Sequence, residues 1–60
     1  MSHATELRDD AERSRRLAAV TPDRAAAGVL KVMAREFDRD AERLEAEDRA
    51  MEARERRRQA

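Results

Sequence analysis

The side chains of this chain that could perform chemistry are few, and their types and spacing speak mainly by exclusion. His3 is the single imidazole among 60 residues and cysteine is absent, which removes disulfides, thiolate metal sites and thiol nucleophiles together. The hydroxyls of Ser2, Thr5, Ser14 and Thr21 stand where helix caps or close packing account for them, and no base with an orienting group is spaced to activate one. Glu36 with Asp40, and Asp38 with Glu42, fall one helical turn apart as paired metal ligands would. A di-metal bundle site also calls for a Glu-x-x-His pair on an inward face, and the chain has none, so these carboxylates read as a solvated face. The lone glycine, Gly28, cannot build a phosphate-cradling loop, which takes several. The expectation is a protein that is no enzyme, with no metal and no cofactor.

The sharpest charge feature is the C-terminal cluster Arg54, Arg56, Arg57 and Arg58. Arginines that neutralise phosphates release counterions and give salt-dependent binding, so these four are candidate phosphate contacts. Basic residues also suit the negative end of a helix dipole, Glu52 and Glu55 dilute the patch, and no aromatic residue stands nearby to stack on a base. The dipole reading therefore carries more weight, and nucleic acid is the second-ranked partner. Over the whole chain 14 basic and 14 acidic residues cancel although 47% of residues are charged, so no long-range field draws the molecule to nucleic acid or to a membrane. No apolar run approaches the roughly 20 residues that cross a bilayer, and no basic segment leads into an apolar one as in a leader sequence. The expectation is a soluble, cytoplasmic protein.

These side chains must be positioned by helices. Thr21-Pro22-Asp23-Arg24 is the one strong punctuation: Thr21 fits an N-cap, Pro22 the first helical position, and Asp23 a first-turn carboxylate. Before it, Ser2 or Thr5 caps a first helix over about 4–19. Its small and apolar positions Ala4, Leu7, Ala11, Ser14 and Ala18 form one stripe at three-four spacing, widened near the turn by Leu17 and Val20. After it, a second helix runs over about 22–57 with no further proline. Gly28 among Ala25, Ala26 and Ala27 is either a flat spot for close helix contact or a tolerated surface glycine. The second stripe is Ala26, Leu30, Met33, Phe37, Ala41, Leu44 and Met51, flanked by Val29 and Ala34, and its upper part, around Leu30 and Phe37, is the expected core.

The two arms differ in length, so the first cannot cover the second. The overhang is expected to begin near Asp40 and to be kept helical by Glu45 with Arg49, Glu52 with Arg56, Asp40 with Arg43 and Glu55 with Arg58, pairs worth about 0.2–0.5 kcal/mol each. The ends, 1–3 and 58–60, are expected to fray. A chain this short buries only about 60% of its unfolded surface and needs a staple or a partner. With disulfide and zinc unavailable, association is the remedy.

The stretch from Leu7 to Arg49 resembles a group of small uncharacterised alphaproteobacterial proteins. The resemblance is carried by Arg8, Ala11, Glu12, Arg15, Leu17 and Ala18 before the turn, and by Leu30 or Met33 near Ala34, then Phe37, Asp38, Ala41, Glu42 and Arg43 after it. It departs at Leu7, where that group has an aromatic residue, and in a turn that reads Pro-Asp rather than Asp-Pro. What the resemblance implies is a helical hairpin without an assigned activity or catalytic residues.

The sequence therefore predicts an all-α protein: a single helix-turn-helix hairpin over 1–60, assembled as a homodimer in a four-helix or coiled-coil-like bundle. The expected function is interaction, as a small adaptor or regulator that binds itself, with another helical protein as a further candidate partner. The expected interface is Leu30, Met33, Phe37, Ala41, Leu44 and Met51, with Met33 filling the core and Met51 reaching another molecule.

Overall fold

The computed structural model describes residues 3–59. Helix α1 spans His3–Val20 and helix α2 spans Arg24–Gln59, of 18 and 36 residues, or about 27 Å and 54 Å at 1.5 Å per residue. They fold back on each other as a hairpin. Residues 1, 2 and 60, all within the segments expected to fray, lie outside the described residues, as does Ser2 as a cap. His3, Arg58 and Gln59 are helical. Thr5 falls inside α1 and so is not its cap.

The turn is built differently from its sequence reading. Pro22 is not the first residue of the second helix, and Thr21 is not its N-cap. The Thr21 hydroxyl donates to the Leu17 carbonyl at 2.5 Å and its amide to the Ala18 carbonyl at 3.3 Å, so Thr21 satisfies carbonyls left open at the end of α1. The N-cap is Asp23, whose carboxylate accepts the Ala25 amide at 3.0 Å, while its own carbonyl accepts the first helical bond, from Ala27, at 2.9 Å. The physical reason lies in the chemistry of the two side chains. A carboxylate accepts two residues ahead and favours the positive end of a helix dipole. A threonine held out of helical conformation by the following proline is free to donate backward. Three residues thus contain both a stop and a start.

The seam between the helices is made of alanine. On α1 the buried residues are Ala4, Ala11, Ser14 and Ala18; on α2 they are Ala34 and Ala41, with Ala11 and Ala41 at 0% exposure. Among the described residues no larger side chain is fully buried. Ala4, Ala11 and Ala18 repeat every seven residues, and so do Ala27, Ala34 and Ala41, which keeps two methyl rows in register along an antiparallel pair. Ala34, expected to flank the stripe, is therefore at its centre. Leu30 and Phe37, expected as the core, are only half-buried, and Met33 is exposed. Short side chains let the backbones approach toward the close end of the 8–10 Å range of helix packing, and the larger apolar residues are displaced to the flank of the contact. Gly28 faces open space, with nothing within 4 Å of where a Cβ would stand, which settles it as a surface glycine.

The outcome is a slab one helix thick. The Cα atoms extend over 56 × 18 × 10 Å, with a radius of gyration of 16.0 Å against about 10 Å for a compact chain of this length. A single layer of two helices has two broad faces, and among the described residues neither is covered by another element. Beyond the seam α2 continues alone: Leu44 and Glu45 are half-buried, and every described residue from 46 to 59 is exposed.

Candidate interaction surface

Each residue turns an α-helix by about 100°, so once the buried alanines of α1 and α2 form the seam the remaining positions are assigned to one face of the slab or the other. One face is ionic. Arg8 pairs with Glu45 and Arg15 with Asp38 across the hairpin, and Arg15 also approaches Glu12 at 3.8 Å. The hydrogen bond that Arg8 donates to Glu45, and then the negative charge of that carboxylate, raise the Arg8 guanidinium pKa above its ordinary value, so Arg8 holds its proton more firmly than an isolated arginine. Lys31 and Arg35 border an open groove with Arg15 on this side, floored by Ala34.

The other face is apolar. Leu17 from α1 and Leu30, Met33 and Phe37 from α2 line a groove of about 370 Å³, edged by Asp10, Arg13 and Ser14. Leu17 is 54% exposed and Met33 40%. Asp10 and Arg13 approach each other at 3.7 Å, so the charged rim is paired within one helix and leaves the apolar floor uncontested. The volume matches a small-molecule pocket, but a groove between two parallel ridges lacks the walls that bury most of a ligand. Its shape suits the side of another helix.

The expected interface residues divide accordingly. Leu30, Met33 and Phe37 belong to the groove, and Leu44, seven residues past Phe37, continues the row to the point where α1 runs out. Ala41 does not belong to this set. It lies in the seam at 0% exposure, already covered by α1. Met51, 63% exposed, stands on the solitary part of α2 beside Arg54, Glu55 and Arg58. Leu17 was legible only as a residue widening the first stripe, and Val20 likewise; both are exposed at the turn end.

The residues that looked chemically suggestive are placed otherwise. Asp38 is taken by Arg15 and Asp40 approaches Arg43 at 3.5 Å, while Glu45, expected to pair with Arg49, turns to Arg8. The His3 Nδ1 lies 3.3 Å from Glu6 on the exposed first turn. Among the described residues no three His, Cys, Asp or Glu side chains converge as metal ligands would, and no helix is long and apolar enough to cross a membrane. Arg54 and Arg58 share a face with Met51 and Glu55; Arg57, three residues from Arg54, lies about 60° to its other side, and Arg56 alone is turned to the opposite side of the rod.

Compared with protein-family models, with curated proteins and with solved structures, the chain shows no significant match to any.

Proposed function

We propose that this chain is a non-enzymatic interaction protein whose activity is to associate with a second copy of itself, two hairpins docking by their apolar faces into a four-helix bundle. The observation that carries the reading is the unequal treatment of the two faces: cross-helix ion pairs on one, and Leu17, Leu30, Met33 and Phe37 open to water on the other. An alanine seam supports it. Burial inside one hairpin is limited to small side chains, so the apolar surface that would normally stabilise a fold of this size lies outside it.

Magnitudes fix the expected strength. Covering the exposed part of each groove residue and of Leu44 is worth about 1 kcal/mol per side chain, or on the order of 10 kcal/mol for two protomers. Lost translational and rotational freedom costs several kcal/mol or more. The balance places the dimer in the micromolar range or weaker. Folding and pairing are then linked, and helicity should rise with concentration.

Sedimentation equilibrium over low-micromolar to near-millimolar concentrations, with circular dichroism on the same samples, tests the reading. The expected result is a two-chain mass at the upper end and a thermal midpoint that climbs with concentration. Leu17→Asp, at a position already half in water, should weaken association at least tenfold. A one-chain mass throughout, with a midpoint independent of concentration, would overturn the proposal.

A further inference from the structure

We infer that the two hairpins pair antiparallel, with the two-fold axis near Phe37, so that Leu30 of one protomer lies against the partner's Leu44. The inference rests on the self-association proposed above and adds the direction in which the second copy lies.

Two rows of α2, each repeating every seven residues, adjoin the open face. The first is Leu30, Phe37, Leu44 and Met51; the second is Met33, Asp40, Glu47 and Arg54. Parallel pairing in register sets every residue on its own copy. That arrangement would bury the first row only by bringing Asp40 onto Asp40, Glu47 onto Glu47 and Arg54 onto Arg54 along the same seam. It would also lay two sets of Arg54, Arg56, Arg57 and Arg58 side by side at one end. Like charges facing each other along a helical seam are the ordinary means by which a pairing mode is rejected.

Antiparallel pairing removes all of these coincidences. With the axis at Phe37, Leu30 and Leu44 are equally distant from it, seven residues to either side, and each meets the other from the second chain. Asp40 and Glu47 then fall opposite the levels of Ala34 and Ala27. The arginine-rich ends lie at opposite extremities of the assembly, each projecting past the other hairpin's turn.

Exposure along the hairpin points the same way. Apolar surface is in excess at the turn end, where Leu17 and Val20 are 54% and 76% exposed, and cover is short at the other end, where α1 stops and Leu44 lies half-buried beside a rod with no neighbour. Antiparallel docking brings the excess of each protomer to the shortage of the other.

Because cysteine is absent, a single Ala53→Cys variant carries a nitroxide label at one defined, exposed position. Pulsed dipolar spectroscopy on the full chain, at a concentration where sedimentation shows two chains, reads the distance between the labels. Antiparallel pairing about Phe37 separates the two positions by 32 residues of helical rise, about 48 Å. A separation under about 20 Å, as in parallel pairing, would overturn the orientation and leave self-association standing. A one-chain mass with no dipolar signal would remove both, and a mass of two chains with labels near 48 Å supports both.

Discussion

Replacing Ala41 by leucine tests the alanine seam directly. Ala41 is 0% exposed, as is Ala11 on the other helix, so three added carbons at this position press directly on α1. The helices must separate or the leucine must leave its preferred rotamer, and overpacking of this kind costs about 1–3 kcal/mol. A 60-residue chain has a total stability of about 3–9 kcal/mol, so the loss is a large share of what there is. It should lower the thermal midpoint by roughly 5–20 °C, read by circular dichroism at 222 nm with protomer concentration held fixed, since association shifts the midpoint as well. The same substitution at Ala53, exposed on the solitary stretch of α2, provides the control and should stay within about 0.5 kcal/mol of the parent. If Ala41→Leu melts at or above the parent temperature while Ala53→Leu is neutral, the helices are not held together by close methyl contact and the seam is misassigned.

Other substitutions probe the remaining features. Gly28→Ala, at a surface position in mid-helix with open space around it and no positive φ, should stabilise the fold by about 0.5–1 kcal/mol; a lower melting temperature would contradict the open surroundings. Asp23→Ala should cost about 1 kcal/mol by removing the cap of α2, whereas Thr21→Ser, which keeps the hydroxyl that reaches Leu17, should be near neutral; urea titrations giving the opposite order would restore Thr21 as the cap. A double-mutant cycle on Arg15→Gln and Asp38→Asn should return a coupling of about 0.2–1 kcal/mol that shrinks between low and high salt, and a coupling indifferent to salt would argue against a solvent-exposed pair.

The place of the turn, though not its capping, and the two unequal helices were readable from residue types alone, because proline stops a helix wherever it falls in mid-run and the three-four spacing on either side has no other simple explanation. What misled was the ranking of side chains by size. Leu30 and Phe37 were placed at the centre of α2 on hydrophobicity, and Ala34 at the edge, when the structure centres Ala34 and Ala41 and pushes the larger residues outward. The signal was present in the matched sevens of Ala4, Ala11, Ala18 and Ala27, Ala34, Ala41, which only a comparison of the two arms with each other would have found. Cross-hairpin pairs such as Arg8 with Glu45 could not be read beforehand, since a local pairing rule finds Arg49 for the same carboxylate. The apolar face was legible as a set of residues but not as a shape: Ala41 belonged to the list by type and was lost from it because α1 had already covered it.

The link between the helices carries both of its terminators in three consecutive residues, Thr21 ending one rod and Asp23 launching the next, which leaves no slack. One residue inserted within α1, between Ala11 and Ala18, would rotate the part of the rod before it through about 100° against its neighbour, sweeping Ala4 and Ala11 out of the methyl rows. An equal insertion after Arg49 would merely shift the phase of an unaccompanied rod. Changes of length are therefore disruptive within the paired rods and mild along the unaccompanied arm.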